Sequence, residues 1–246
     1  MEYNTENQIP YNKYDKINIY LTGYGPFLNV KENPSEKIST HIFQNNSKLN
    51  TESTSVLYNQ IFQVNTVYVN NHISQLFDVI KKYSLNDNNK DLLNVIISIG
   101  VAENRKVNTL EIRGKNFIYD RILTKKIDEN KPEYYYSKNP IKYIIKGIQN
   151  LKSDCKFSNN AGTYLCNYMY FSTLVKCFDE KNYCSFFLHV PLLENYSMEK
   201  QEIFFKNFID IMESLYLKGN EEKTKKILEY EINKEDEHID EWNMEE

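Results

Sequence analysis

The chain has 246 residues, of which 41% are hydrophobic and 26% are charged, and its formal net charge is −4. These values are near the averages of soluble globular proteins and exclude a chain that is disordered throughout. The length suits one large domain or two small ones, and we expect a single domain. The sequence has no stripe of basic residues that would neutralise phosphates, so nucleic acid is not expected as a partner.

The N-terminal residues 1–15 are polar, and we expect a loose leader there. They lack the apolar run of a secretory signal, and no later apolar run approaches the length of a membrane span. Four cysteines, Cys155, Cys166, Cys177 and Cys184, lie close together without CxxC spacing, which argues against a zinc site and against a disulfide framework. We therefore expect a cytosolic protein with free thiols, away from membranes.

Strands and helices alternate in the first half of the chain. The run KINIYLTG, 16–23, predicts a buried strand that delivers a Gly- and Pro-containing loop at its carboxyl end. Asn33–Pro34–Ser35 supplies a cap residue and a proline suited to a first helical turn. Residues 55–64 are a second strand candidate, and 72–83 have the apolar face of a helix. The continuous run LLNVIISIG, 92–100, favours a strand covered on both faces.

The second half begins with a polar, Lys- and Tyr-rich segment, 125–140, which we expect to be an exposed loop. Helices are predicted over 141–152, after Asn139–Pro140, and over 158–178. The run CSFFLHVP, 184–191, predicts a strand that Pro191 ends, and 198–216 predicts a long amphipathic helix.

This alternation predicts an α/β fold, a single-domain three-layer sandwich with a mostly parallel twisted sheet and helices on both faces. The folded domain is expected to span 16–217. The charged C-terminal extension, 218–246, is expected to be a solvated helix or disordered, outside the core. In such sheets ligands bind at the carboxyl ends of the strands.

The stretch AGTYLCN contains Cys166 and has two interpretations. Unpaired cysteines are among the most buried residues, so a structural thiol is the ordinary one. However, the two small residues permit a tight bend, and Ser158 or Thr163 is a candidate helix cap. Cys166 would then lie in the first turn, where the helix dipole favours a thiolate, the nucleophilic form.

A cysteine nucleophile needs a base, and the base needs an acceptor that fixes its tautomer. His189 ends the strand CSFFLHVP near the expected crevice, whereas His41, His72 and His238 fall in predicted helices or the tail. Glu111 lies in GVAENRKVNTLEIRGKN, which follows another strand. The ordinary alternatives are a hydrogen-bonded core histidine and a surface glutamate with a solvated carboxylate.

Four motifs, in this order, resemble those of the pyroglutamyl peptidase I (pyrrolidone-carboxylate peptidase) family: TGYGPFLNVKENPS, GVAENRKVNTLEIRGKN, SNNAGTYLCN and FFLHVP. The resemblance extends from about residue 17 to residue 216. The family consists of cytosolic cysteine peptidases that remove an N-terminal pyroglutamyl residue. The resemblance therefore implies that 16–217 is a catalytic domain acting on pyroglutamyl peptides, without metal or other cofactor. Family members commonly form dimers or tetramers, but the substitutions at Leu28–Asn29 and the long Tyr-rich loop leave the oligomeric state of this chain open.

The resemblance also assigns roles to residues. The family's nucleophile falls on Cys166, its general base on His189 and its third catalytic residue on Glu111. The substrate-binding positions comprise two ring-stacking aromatics, two hydrogen-bonding partners of the lactam, a candidate oxyanion arginine and three apolar wall positions. In that order these positions are Tyr24, Phe27, Asn33, Val101, Arg121, Ile122, Tyr164 and Leu165.

The chain departs from the family pattern at four places. Tyr24 replaces the usual Phe, Leu28–Asn29 replace a Gly pair, Asn104 replaces the Gly before an Arg, and Ile112 replaces the Arg after the catalytic Glu. One alternative is an inactive homologue that binds pyroglutamyl termini or acts as a scaffold. Another α/β enzyme, such as a nucleoside phosphorylase, would need a phosphate-binding loop, and the sequence has none.

Overall fold

A computed structural model describes residues 8–27, 31–87, 91–120 and 123–238. Ten strands occur in this part of the chain. They are β1 (Lys16–Tyr24), β2 (Thr54–Phe62), β3 (Leu92–Val101), β4 (Asn108–Glu111), β5 (Arg113–Lys115), β6 (Ile118–Asp120), β7 (Leu123–Lys125), β8 (Tyr134–Tyr136), β9 (Cys155–Ser158) and β10 (Tyr183–Val190). The helices are α1 (Pro34–Gln44), α2 (Thr66–Asn86), α3 (Ile141–Asn150), α4 (Leu165–Phe178), α5 (Met198–Tyr216) and α6 (Glu221–Leu228).

Six strands form one sheet in the order β2-β1-β3-β10-β4-β9. Every neighbouring pair is parallel except β10 with β4, which is antiparallel. The central strands are continuous apolar runs because helices cover both of their faces. The remaining strands form two small antiparallel ribbons, β5 with β8 and β6 with β7. The prediction of a mostly parallel sheet is confirmed.

Helices lie on both faces of the sheet. One face packs against α1, α3 and α5, whose side chains Ile38, Ile144 and Phe208 belong to one buried cluster with alternate residues of the central strands. The other face packs against α2 and α4, and there Phe187 of β10 and Tyr170 of α4 are fully buried neighbours. The predicted three-layer sandwich is confirmed. Within the described residues, no helix is both long and apolar enough to cross a bilayer.

The predicted helix over 158–178 is wrong at its beginning. Ser158 ends the strand β9, which pairs with β4, and α4 begins only at Leu165. The helix cap is Tyr164, whose side chain makes no capping hydrogen bond, so neither Ser158 nor Thr163 caps the helix as predicted. A four-residue strand at a sheet edge is too short to leave a period in the sequence.

The predicted exposed loop over 125–140 is partly wrong. Tyr134–Tyr136 pair with β5, and Tyr135 is buried with its ring edge-on to Phe171 and Phe178, at centroid distances of 5.6 and 5.0 Å. Aromatic burial of this kind outweighs the polar character of the segment around it.

Both ends of the described chain pack on the domain. In the expected leader, Ile9 is buried and the backbone N–H of Tyr14 donates to the carbonyl of Tyr216. In the expected solvated extension, Ile227 of α6 is buried in the main core. Further on, Glu237 forms a parallel bridge with Phe157 of β9. The expectations of a loose leader and of an extension outside the core are therefore wrong for these residues.

Candidate active site

His189 and Glu111 approach each other across the antiparallel pair β10–β4. Thr109 lies directly opposite His189, so Glu111, two residues further along β4, is its diagonal neighbour on the same face. His189 Nδ1 lies 2.7 Å from Glu111 Oε1, and both side chains are buried. Since an ionised carboxylate only accepts, Nδ1 donates and the tautomer of the imidazole is fixed. Glu111 is thus not a solvated surface glutamate.

The sequence did not reveal a third member of this network. Arg105, in the connection between β3 and β4, is buried and places Nη1 2.5 Å from Glu111 Oε1. Its Nη2 donates to Ser158 Oγ at 3.4 Å and to the carbonyl of Asn160 at 3.2 Å. An arginine in the polar stretch ENRK has the pattern of an exposed residue. Its one sequence signal is that it shares a motif with Glu111.

The charge state of Glu111 follows from these neighbours. Burial alone would raise the pKa of its carboxyl group, but the hydrogen bond from His189 and the charge of Arg105 outweigh burial and lower the pKa to about 2. Glu111 is therefore ionised across the whole neutral range. Its second oxygen, Oε2, is buried without a hydrogen-bond partner among the described residues, so Oε1 carries the contacts that orient the group.

Cys166 follows the first residue of α4, and its sulfur lies against the sheet at Gly100. A Cβ built on Gly100 would come within 2.8 Å of Cys166 Sγ. Gly100 of β3 is the parallel partner of His189 on β10, and paired strands lie about 4.8 Å apart. The missing side chain at Gly100 thus makes room for the sulfur beside the histidine.

The Cys166 thiol is protonated at neutral pH. Burial raises the pKa of Cys166 to about 12, the Glu111 carboxylate adds to this, and Arg105 and a backbone hydrogen bond oppose it. The backbone at the helix start thus acts in the predicted direction and lowers the pKa, but burial outweighs it, and the thiolate expected from the helix start is not the resting form. Of the four cysteines, all of which lie in the described part, Cys166 alone is incompletely buried.

A cavity of about 830 Å³ opens in front of the Cys166 sulfur. Six of the eight predicted substrate-binding residues line it, namely Tyr24, Phe27, Asn33, Val101, Tyr164 and Leu165. The other two, Arg121 and Ile122, lie outside the described residues, as do Leu28 and Asn29. The wall also contains Ile118, Tyr119 and the segment 64–66, which the sequence did not indicate because β6 and the start of α2 reach the cavity only through the fold.

The hydroxyl of Tyr24, which the usual Phe of the family lacks, has a hydrogen-bond partner in the fold. Its ring is buried, and its OH donates to the carbonyl of Leu165 at 3.2 Å. The end of β1 is thereby joined to the first turn of α4, immediately before Cys166. The other described departures are accommodated as well, since Asn104 is exposed and Ile112 is buried in the main core.

Asn33 holds the cavity loop together. It caps α1 by accepting from the backbone N–H of Ser35 at 3.0 Å, and its Nδ2 donates to the carbonyl of Gly25 at 3.0 Å. A primary amide carries two N–H groups, so a second donor remains on Nδ2 at the cavity wall. Asn33 thus has a structural task in addition to any contact with a ligand.

The arrangement combines a thiol, an oriented imidazole and a buried carboxylate at one cavity, which is the set of groups needed for acyl transfer. In the described residues, no group of three or more His, Cys, Asp or Glu side chains is placed to hold a metal ion.

Comparison with known proteins gives consistent results. The family model described as pyroglutamyl peptidase matches residues 17–205. The pyrrolidone-carboxylate peptidase of Thermococcus litoralis is 24% identical, over 86% of this chain and 93% of its own length. That of Oceanobacillus iheyensis is 29% identical, over 70% and 83%. The crystal structure of pyrrolidone carboxyl peptidase from Fervidobacterium islandicum superposes with a TM-score of 0.60 at 23% identity, covering 81% of this chain and 98% of that one.

Proposed function

Because the chain belongs to the pyroglutamyl peptidase family, we propose that it is a cysteine exopeptidase that hydrolyses the bond after an N-terminal pyroglutamyl residue and releases 5-oxoproline. The observation that carries the proposal is the contact between Glu111 and His189 beside the sulfur of Cys166, at the cavity bounded by Tyr24 and Phe27. The names of the relatives point to the same reaction.

In the proposed reaction Cys166 is the nucleophile and His189 the general base. Since the resting thiol is protonated, the imidazole takes the thiol proton as sulfur attacks the carbonyl that links pyroglutamate to the next residue. The proton then passes from His189 to the leaving amine, and the shortened peptide departs. Water, activated by the same histidine, attacks the thioester, releases 5-oxoproline and restores the thiol.

The developing oxyanion needs hydrogen-bond donors in a fixed position. The first N–H groups of α4 suit this task because the start of a helix leaves them without intrahelical partners. Glu111 orients the imidazole and stabilises its protonated form throughout the cycle. Arg121, which the resemblance assigns to the oxyanion, is part of the proposal on that ground alone.

Specificity follows from the shape and polarity of the cavity. Pyroglutamate is a flat, uncharged ring with one N–H and one C=O, which suits a slot with aromatic walls and a few hydrogen-bonding groups. We assign the walls to Tyr24 and Phe27, and the lactam contacts to the second N–H of Asn33 and the carbonyl of Val101. Proline lacks the ring carbonyl and leaves a buried donor unpaired, which costs about 1–3 kcal/mol.

The proposal includes a reducing compartment such as the cytosol, because the nucleophile has to remain a thiol and all four cysteines are unpaired. Assembly into dimers or tetramers, which is common in the family, is also part of it, and sedimentation of the purified chain measures it directly.

The experiment is release of a fluorogenic amine from a pyroglutamyl conjugate by the purified chain under reducing conditions. We expect turnover by the wild type and its loss in Cys166→Ala. Cys177→Ala is the matched control, since that thiol is buried in the fold away from the cavity, and it should retain turnover. A folded wild type without turnover between about pH 6 and 9, the range of a histidine base, would favour the inactive homologue instead.

A further inference from the structure

Two donors converge on one oxygen of the buried carboxylate. Arg105 Nη1 lies 2.5 Å and His189 Nδ1 2.7 Å from Oε1 of Glu111. Arg105 is 3% exposed and Glu111 is fully buried. The position of the carboxylate therefore depends on the guanidinium as well as on the imidazole.

The charges require a permanent counterion at this place. A buried carboxylate is stable as an ion only when it is paired, and a neutral imidazole does not neutralise it. In the proposed cycle His189 is neutral before attack and protonated only after it has taken the proton of Cys166. The guanidinium is always protonated, so it keeps Glu111 ionised in both halves of the cycle.

An ionised, strongly paired Glu111 also determines whether the proton taken from Cys166 stays on His189 or passes to the carboxylate. A carboxylate of ordinary basicity in a buried site competes for the proton of the imidazolium. With the guanidinium on the same oxygen, Glu111 orients the ring without taking its proton. The proton therefore stays on His189 for transfer to the leaving amine.

The other side of the guanidinium reaches the segment that leads to the nucleophile. Nη2 donates to Ser158 Oγ and to the carbonyl of Asn160. Lys115 Nζ contacts Asn160 Oδ1 at 2.8 Å, so both the backbone and the side chain of Asn160 are held. One arginine thus joins the acid that orients the base to the chain that precedes Cys166.

We propose that Arg105 is a positioning residue of the active site. It holds the carboxylate of Glu111 in the position that orients His189, and it fixes that carboxylate relative to the segment that precedes Cys166. The proposal rests on the proposed function for its catalytic consequence. It assigns to Arg105 an effect on turnover that is exerted through Glu111 and not through contact with the substrate.

Steady-state kinetics of Arg105→Gln test this role. We expect kcat to fall about 10- to 100-fold, as for other residues that orient a catalytic group, with KM nearly unchanged. Arg105→Lys retains the charge and should recover part of the loss. The matched control is Arg113→Gln, because Arg113 donates to the carbonyl of Asn159 in the same segment at 3.0 Å, and it should keep the wild-type kcat.

The pH profile separates positioning from a general structural effect. The groups that face the Glu111 carboxylate are Arg105 from the β3–β4 connection, His189 from β10 and Cys166 from α4, and the hydroxyl of Tyr170 on α4 bonds its backbone carbonyl. Without the guanidinium the carboxyl group becomes easier to protonate. The acidic limb of kcat/KM should therefore move to higher pH in Arg105→Gln and stay in place in Arg113→Gln.

A double-mutant cycle keeps the test valid if Arg105→Gln alone folds poorly. Arg105→Met combined with Glu111→Gln removes both buried charges, so neither is left unpaired. If Arg105 acts through Glu111, adding Arg105→Met to Glu111→Gln should lower kcat by less than about threefold. A loss as large as that in the wild-type background would overturn the proposal, as would an unchanged kcat and pH profile in a folded Arg105→Gln.

Alkylation of Cys166 by iodoacetamide, followed by mass spectrometry of its peptide, gives a readout without turnover. Loss of the nearby positive charge raises the pKa of the Cys166 thiol, so Arg105→Gln should be alkylated more slowly at a given pH. If Arg105→Gln is alkylated more slowly than the wild type, but the wild type hydrolyses no pyroglutamyl conjugate, the proposed function fails and the role of Arg105 beside Cys166 stands. If the wild type turns over and neither readout changes in the variant, only the role of Arg105 fails.

Discussion

Gly100→Ala is the substitution to which the site should be most sensitive. Gly100 lies near the end of β3, where the absence of a side chain lets two groups rest on the sheet. A Cβ at this position would lie 2.8 Å from Cys166 Sγ and 2.8 Å from Phe187 Cζ. Non-bonded heavy atoms prefer separations of about 3.5–4.0 Å. Both contacts are too short, so the sulfur and the ring must each draw back from the new methyl by about 0.7 Å, or the strand that carries it must shift.

The ring of Phe187 has little freedom to move. It is fully buried, with ring centroids of Tyr170 and His189 at 5.7 and 4.9 Å. Cys166 lines the cavity and is only partly buried, so its sulfur yields more readily than the ring, and the added methyl displaces it from its place over the strand. Misplacing a reacting atom by about 1 Å costs on the order of 10²-fold in rate. The added methyl should also lower the free energy of unfolding by about 1–3 kcal/mol.

The assay is kcat/KM for a fluorogenic pyroglutamyl conjugate, with urea unfolding measured on the same sample. Gly25→Ala is the matched control, because its Cβ would find its nearest atom at 3.7 Å, an ordinary contact, in the loop that lines the same cavity. We expect that control to resemble the wild type. A folded Gly100→Ala enzyme with kcat/KM within about threefold of the wild type would refute the placement of the sulfur over Gly100.

Three further outcomes are expected. Tyr24→Phe removes the hydrogen bond to Leu165 and should lower the free energy of unfolding by about 1 kcal/mol with little change in KM; a tenfold rise in KM would contradict this. The pKa of Glu111 is lowered from 4.5 to about 2, so its stabilisation is complete above pH 4.5 and is lost as the pH falls to about 2. The urea midpoint should therefore fall more steeply over that window in the wild type than in Glu111→Gln, and equal slopes would refute it. In Gly114→Ala the Cβ would lie 2.7 Å from the backbone of Phe171, which cannot yield as a side chain does, so the urea midpoint should fall clearly, and an unchanged midpoint would be contrary evidence.

Much of the fold could be predicted because its signals are local. The helix Met198–Tyr216 has the bounds that its apolar period predicts. The central strands are long apolar runs that end in polar loops, and for this reason His189 could be placed near the crevice. The short strands Asn108–Glu111 and Cys155–Ser158 could not be predicted in the same way, since four residues carry too little pattern.

The site was predictable only to the extent that its residues belong to recognisable motifs. Cys166 and Glu111 were identified because their motifs occur together with two others in the family's order. Taken alone, each has an ordinary structural interpretation, a buried thiol and a surface glutamate. Arg105 was missed because nothing local distinguishes a buried arginine from an exposed one. The protonated state of the Cys166 thiol was also missed, since burial depends on helices and strands that are distant in the sequence.

The packing of the C-terminal segment has a consequence for how the molecule behaves at high concentration. Strand β9 is at the edge of the main sheet, and an open edge presents backbone groups to which a foreign strand can add. Glu237 and the N–H of His238 pair with Phe157, and Asn159 Nδ2 donates to Glu237 Oε1 at 2.6 Å. These residues lie well beyond the family region, which ends at residue 205. A C-terminal segment outside the family region thus covers the β9 edge of the sheet, where a strand of another molecule could otherwise add and begin aggregation.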